Sequence, residues 1–384
     1  MKVALVVPHM FMHRDILPQV IFSPAALAVQ LAEGLAAQGA EATLFSPGPV
    51  DTRVPNRTAD LSLFEQELAG RGYGYVELLK KHPATFIALA RQVQAELIAS
   101  AFAAANRGEF DVVHIYTNEE DIALPFAQLC TKPVVFTHHD PFNFLIKYKS
   151  VFPKYAGLNW ISMSLAQRAG MPPGTNWLAN IYHGMDPDAL HYNPQPNGNY
   201  VAYLGRIIEP KGVHLAIAAV EMYNKTAAEP LTLKIAGKHY AGHKDSYWQE
   251  QVAPHLGGSI EYVGFLSGDA AKQDFLGNAR AVLVPSIFNE PFGLVVIEAL
   301  ACGTPVIGLN SGAIPEIITP GGTGLVVAKA KTDAQTSKRL AAAIPQALAL
   351  GRRGCRAAFQ SRFTLQQMCA AHLAAYQKAV AAKV

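Results

Sequence analysis

Short unbroken apolar runs alternate along this chain with longer stretches whose apolar positions recur every three or four residues. In the first half the runs fall at 3–7, 42–45, 111–116, 133–137 and 159–163, and helical spacing covers 25–37 and 85–105. The second half repeats the pattern, with runs at 200–204, 231–236, 259–263, 281–284 and 305–308. Strands apolar on both faces and joined by helical crossovers predict parallel, doubly wound sheets covered by helices. Between the halves the chain turns polar and rich in Pro, Gly and Asn, from His183-Gly184-Met185-Asp186-Pro187 to Asn193-Pro194-Gln195-Pro196-Asn197-Gly198-Asn199. This shift places a linker at 186–199, between a first domain over 1–185 and a second over 200–366. Gly184 is expected at positive φ. A last helix, 365–381, carries Leu365, Met368, Cys369, His372 and Tyr376 on one stripe.

Composition narrows the class. Two domains are the default for 384 residues. Half the residues are hydrophobic and 16% are charged, which excludes global disorder. A net charge of +3 is too small to argue for nucleic acid. No apolar run reaches the length of a membrane span, so a soluble chain is expected, with peripheral membrane contact left open. Cys130, Cys302, Cys355 and Cys369 form no CxxC pair, which fits reduced thiols and a cytoplasmic location.

The most telling segment is Asn289-Glu290-Pro291-Phe292-Gly293-Leu294-Val295-Val296-Ile297-Glu298-Ala299-Leu300. Two carboxylates stand eight positions apart. Gly293 is expected to open a short helix, apolar nearly all round and therefore buried. A carboxylate on such a helix needs a partner. Glu298 is either a core residue satisfied by a nearby Arg or backbone donor, or one of two ligand-binding carboxylates beside the free amides of a helix N-terminus.

From Pro285 to Pro315, through Gly303-Thr304-Pro305-Val306-Ile307-Gly308 and Gly312-Ala313-Ile314-Pro315, the chain resembles the glutamate-x7-glutamate signature of retaining family-four glycosyltransferases. The resemblance implies the GT-B fold: two Rossmann-like domains facing across a cleft, with the terminal helix 367–384 packing back on the first. It also implies a nucleotide-diphosphate sugar as donor substrate, with UDP-glucose and GDP-mannose as candidates, and no separate cofactor. Glu290 would contact the donor hexose, Glu298 the ribose, and the amides of Gly293, Leu294 and Val295 the diphosphate. The segment 233–266 is loosely similar to an avilamycin-pathway branch of the family.

Other constellations fit this reading. In Gly205-Arg206-Ile207-Ile208-Glu209-Pro210-Lys211-Gly212, two cations at a strand-to-helix turn suit a diphosphate, Arg206 as a fork and Lys211 as a point charge. Thr137-His138-His139-Asp140 closes a strand, and the resemblance puts a histidine there beside the donor hexose. His139 fits the spacing, with His138 as the alternative. Adjacent histidines rarely chelate one ion, so no metal is expected. Lys238 is placed near the nucleotide or in a solvated loop. Two departures stand out: Phe22-Ser23-Pro24 replaces the family's paired glycines, with Ser23 expected to cap the first helix, and Gly237-Lys238-His239 replaces Gly-x-Gly. Residues 141–155 mix aromatics and lysines, as a helix with its aromatic face inward or as an acceptor-site wall.

The sequence thus points to a metal-independent retaining hexosyltransferase acting on a hydroxyl acceptor, whether small molecule, lipid or glycan. A sugar-nucleotide 2-epimerase, a sugar phosphorylase and a non-catalytic nucleotide-sugar binder are the rivals. Oligomeric state is not indicated. No GxGxxG or GxxxxGK[ST] loop follows a strand.

Overall fold

The computed structural model describes residues 1–20, 22–239 and 245–383. Residues 240–244 of the avilamycin-like segment and residue 384 of the expected terminal helix lie outside them. The chain divides into two compact units. The first comprises Met1–Met163, Arg168–Tyr182 and Leu365–Val384, and the second Ser164–Gln167 and His183–Thr364.

Among the described residues, the first unit holds seven parallel strands: β1 (Lys2–Val6), β2 (Glu41–Ser46), β3 (Asn56–Thr58), β4 (Val112–Tyr116), β5 (Val134–Thr137), β6 (Asn159–Ser162) and β7 (Trp177–Asn180). Their order is β3-β2-β1-β4-β5-β6-β7. β4 is buried at every position, as its unbroken apolar run requires. The helix Pro83–Asn106 buries Ala90, Val93, Leu97, Ala101 and Ala104, the stripe that its spacing predicts. The helix Leu365–Ala381 buries Met368, Cys369, His372 and Tyr376 and packs against the helix Ser23–Ala37.

The second unit holds β8 (Tyr200–Leu204), β9 (Thr232–Ala236), β10 (Ile260–Gly264), β11 (Ala281–Val284), β12 (Val306–Leu309) and β13 (Gly324–Val327). Their order is β10-β9-β8-β11-β12-β13, all parallel. From β8 the chain winds one way to β9 and later the other way to β11. The β8–β11 junction is therefore the topological switch point, where the loops leaving the two strands diverge and open a crevice.

Four local expectations are corrected. Gly184 is not among the positive-φ glycines. The next residue, Met185, bridges Thr364 and donates to Phe363 O at 3.0 Å, which keeps this segment extended. Ser23 is the first residue of its helix, not the cap; Phe22 holds the cap position without a side-chain bond. The Phe22 ring instead stacks on His9 with centroids 4.5 Å apart. Residues 141–155 are not one helix but a loop, a short helix (Ile146–Val151) and a 3₁₀ turn (Phe152–Tyr155). Pro153, lacking an N–H, marks the change. Its aromatic side does face inward, through Phe142, Tyr148 and Phe152. Finally, 186–199 is no free connector: it belongs to the second unit.

Two arginines hold that stretch in place. Arg352 donates to the carbonyls of Asn193 (2.6 Å), Ala279 (2.9 Å) and Gly277 (2.8 Å) and to Thr304 Oγ1 (2.8 Å). Arg356 donates to the carbonyls of Leu190, Ala301 and Pro187 at 2.8, 2.8 and 3.0 Å. Arg352→Ala strands several half-buried carbonyls, so a loss of about 3 kcal/mol in unfolding free energy is expected. Urea melts of the variant against the parent chain check this, and an unchanged midpoint would contradict it.

Candidate active site

The site is built first from the chain that leaves β11. Gly293 caps the following helix at φ 114°, a backbone conformation that side chains avoid, and a Cβ there would come within 2.9 Å of Ile314 Cδ1. The helix Leu294–Ala301 then buries Val296, Ile297, Ala299, Leu300 and Ala301 completely. Leu294, Val295 and Glu298 are only half-buried. The first-turn amides of Leu294 and Val295 have no carbonyl acceptor within the helix, and they carry the positive end of its dipole.

Glu290 lies three residues before that helix cap and is only 8% exposed. Its Oε1 accepts from Lys211 Nζ at 2.5 Å and from Ser286 Oγ at 2.7 Å. Lys211 ends the 3₁₀ turn Glu209–Lys211 after β8. Ile287 and Phe288 N–H donate to Pro210 O at 3.0 and 3.1 Å, lacing the β8 and β11 loops together at the switch point. Gly312 closes over the other side: a Cβ at this residue would sit 2.2 Å from Glu290 O, and Ala313 N–H donates to that oxygen at 2.8 Å. Glu290 is thus fixed through both its side chain and its backbone.

Glu298 also has a cationic partner. Its Oε1 accepts from Lys272 Nζ at 2.6 Å, from the helix Asp269–Gly277. Burial pushes the Lys272 ammonium down, but Glu298 beside it, with a contribution from Asp269, more than offsets this, and the net shift is upward. The partner is a lysine, not the Arg or backbone donor that the sequence suggested. Sequence reasoning missed both Lys272 and Ser286. Nothing local marks Lys272, which precedes its partner by 26 residues. Ser286 was visible only as a polar residue two positions beyond the run 281–284.

The remaining candidates are spread out. Arg206 is exposed just beyond β8, and its carbonyl accepts from Tyr203 OH at 2.9 Å. Lys238, exposed beyond β9, lies 4.2 Å from the centre of the Phe265 ring. His139 belongs to the first unit, edge-on to Tyr116 with centroids 4.5 Å apart. Its neighbour His138 is fully buried, paired with the equally buried Glu120. The rings of Tyr148, Phe152 and Phe142 surround His138 at 4.5, 4.8 and 5.2 Å. Burial pushes the Glu120 carboxyl up, and His138 opposes that shift. The flanking acids are paired as well: Arg91 reaches Glu119 at 3.3 Å and Lys147 reaches Asp121 at 2.9 Å. Among the described residues, no group of three or more His, Cys, Asp or Glu could hold a metal ion.

With this geometry in place, comparison with known proteins is informative. Residues 191–352 match the family model for group 1 glycosyl transferases. The phosphatidyl-myo-inositol mannosyltransferase of Mycobacterium leprae is 27% identical over 321 residues, 78% of each chain. The chain is a glycosyltransferase. Its fold is similar to that of Anabaena HepE, solved with UDP and glucose (TM-score 0.68, 18% identity, 96% of this chain and 97% of that one). It is also similar to AviGT4, a glycosyltransferase involved in avilamycin A biosynthesis (TM-score 0.65, 20% identity, 99% and 98%). At these identities the likeness is of fold, and the glycosyltransferase has the two parallel-sheet domains of the GT-B type.

The two adjacent histidines separate by experiment. His138→Ala leaves Glu120 buried without its partner, and a destabilisation of about 3–5 kcal/mol is expected. His139→Ala, which removes a buried ring packed on Tyr116, should cost less, about 1–2 kcal/mol, while lowering transfer activity. Denaturant titration and initial rates on both variants check the pair, and equal destabilisation would refute the division.

Proposed function

We propose that this glycosyltransferase moves a hexose from a nucleotide-diphosphate sugar to an acceptor hydroxyl, with retention of configuration and without a metal ion. The observation that carries this reading is the Lys211–Glu290–Ser286 cluster, set three residues before a helix N-terminus at the switch point of the second unit. A cation, a carboxylate and unpaired amides so close together suit a ligand that is anionic at one end and hydroxylated at the other.

In this reading the diphosphate takes the first-turn amides of Leu294 and Val295, with Gly293 letting the backbone approach. Arg206 and Lys211 neutralise the charge that develops as the diphosphate leaves, the task a divalent ion would otherwise perform. Glu290 receives a hexose hydroxyl and Glu298 the ribose diol. Lys238 serves the nucleotide, and His139 offers a hydrogen bond to a sugar hydroxyl. The acceptor is a hydroxyl of a small molecule, lipid or glycan. The UDP bound by HepE supports a nucleoside diphosphate as the leaving group. The four buried free cysteines suit a reducing, cytoplasmic setting. Among the described residues, no helix is long and apolar enough to cross a membrane.

Thermal-shift screening against UDP, GDP and ADP and their hexose conjugates identifies the donor. With that donor, transfer should persist in EDTA. Arg206→Ala and Lys211→Ala should each lower kcat/KM by about 100-fold or more in folded protein. Activity restored only by magnesium or manganese, or near-parental rates in both variants, would overturn the assignment.

Stereochemistry follows from the same charges. Double displacement needs a carboxylate nucleophile opposite the leaving group. Beside His139 the adjacent acid is Asp140, whose Oδ2 accepts from Asn118 Nδ2 at 2.9 Å. We favour same-face attack, in which the acceptor hydroxyl enters beside the departing diphosphate and gives its proton to a diphosphate oxygen. An α-linked donor should then yield an α-linked product by NMR, and Asp140→Asn should keep substantial activity. A β product or a glycosyl ester on Asp140 would refute the mechanism.

A further inference from the structure

Both site carboxylates engage their lysine through Oε1. For Glu290 a second donor, Ser286, shares that oxygen. For Glu298 the hydrogen bond from Lys272 is what orients the group: the side chain is 14% exposed, on a helix whose neighbours Ile297 and Ala299 are packed in the core. Lys272 is itself on a firmly held support. Phe275 and Leu276 of its helix are buried. Gln273 Nε2 donates to His191 O at 3.0 Å, and His191 N–H donates back to Gln273 Oε1 at 2.6 Å. Tyr200 OH donates to Phe275 O at 2.7 Å, and Thr304 Oγ1 to Leu276 O at 2.7 Å. The lysine therefore reaches Glu298 from a rigid scaffold, with its side chain 31% exposed.

We propose that Lys272 is a positioning residue that clamps Glu298 through Oε1 and so presents Oε2 to a vicinal diol, making the site selective for a ribonucleotide over a deoxyribonucleotide. This inference rests on the assignment of Glu298 to the ribose. A carboxylate oxygen accepts hydrogen bonds from both hydroxyls of a diol only while its plane is held in one orientation. The ammonium, a charged donor at 2.6 Å, supplies that constraint and prevents the carboxylate from rotating toward solvent. Without the clamp, Glu298 reorients on its own flexible chain and loses the orientation that selects the diol. The base and the diphosphate are recognised elsewhere, so their contribution to affinity is untouched.

The probes are the tightest binder among UDP, GDP and ADP and its 2′,3′-dideoxy counterpart, titrated calorimetrically. The parent chain should prefer the ribonucleotide by about tenfold or more, the scale of a hydrogen bond to a charged group. Lys272→Met should weaken ribonucleotide binding about tenfold and change dideoxynucleotide binding less than about twofold, erasing the preference. Lys272→Arg should restore part of it. Because Lys272 acts through Glu298, adding Lys272→Met to Glu298→Gln should cost nothing more. Circular dichroism and melting curves establish that each variant is folded. Equal weakening of both nucleotides by Lys272→Met, or additivity in the double variant, would overturn the clamp. A parent chain that does not distinguish the two nucleotides would overturn the ribose assignment, and the clamp with it.

Discussion

The ion pair between Lys211 and Glu290 is the interaction on which the rest of the site depends. It joins the loops of β8 and β11, the two strands that meet at the switch point of the second sheet. Ions this poorly exposed are costly to desolvate, and each is tolerable only while the other stands beside it. Ser286 and the turn around Gly312 hold Glu290 in place, and the Pro210 carbonyl, taking two amide donors from the β11 loop, keeps Lys211 within reach. A ligand with a phosphate and a hydroxyl satisfies both charges at once: the phosphate takes the cation and the hydroxyl takes the carboxylate. In the proposed reading the cluster is a preorganised salt bridge that a sugar diphosphate exchanges into without leaving a buried charge unpaired.

Much of the second unit serves to hold this cluster still. The helix after Gly293 buries five of its side chains completely, from Val296 to Ala301, and this holds its half-buried first turn in place. The helix carrying Lys272 is anchored through Gln273 and through the carbonyls of Phe275 and Leu276. Arg352 and Arg356 bind the stretch entering the unit to the ends of the same helices. These bonds reach backbone carbonyls over long sequence separations, which is how a loop-built site acquires the rigidity that electrostatic catalysis requires.

The main architecture was legible because it follows from periodicity. Apolar runs such as 200–204 and 281–284 coincide with β8 and β11, since a strand buried on both faces must be apolar throughout. The two edge strands of the first sheet escaped for the opposite reason. Asn56–Thr58 is polar and largely exposed, and Trp177–Asn180 is only half-buried, so neither leaves an apolar signature. Gly293 and the two glutamates were legible from spacing, but their cations were not all so. Lys211 stood in a recognisable turn, whereas Lys272 is one lysine on an amphipathic helix and meets Glu298 only in three dimensions. The same limit hid Glu120. In sequence, His138 and His139 are equivalent neighbours; in the fold, one is caged by three aromatic rings and a buried carboxylate, and the other lies edge-on to Tyr116.

A crystal structure with the nucleotide-diphosphate sugar bound tests the central claim most directly. The account predicts phosphate oxygens on the amides of Leu294 and Val295, Lys211 Nζ turned from Glu290 to the diphosphate, and a hexose hydroxyl on the vacated Glu290 oxygen. A diphosphate bound away from that helix terminus, with Lys211 still locked to Glu290, would contradict it.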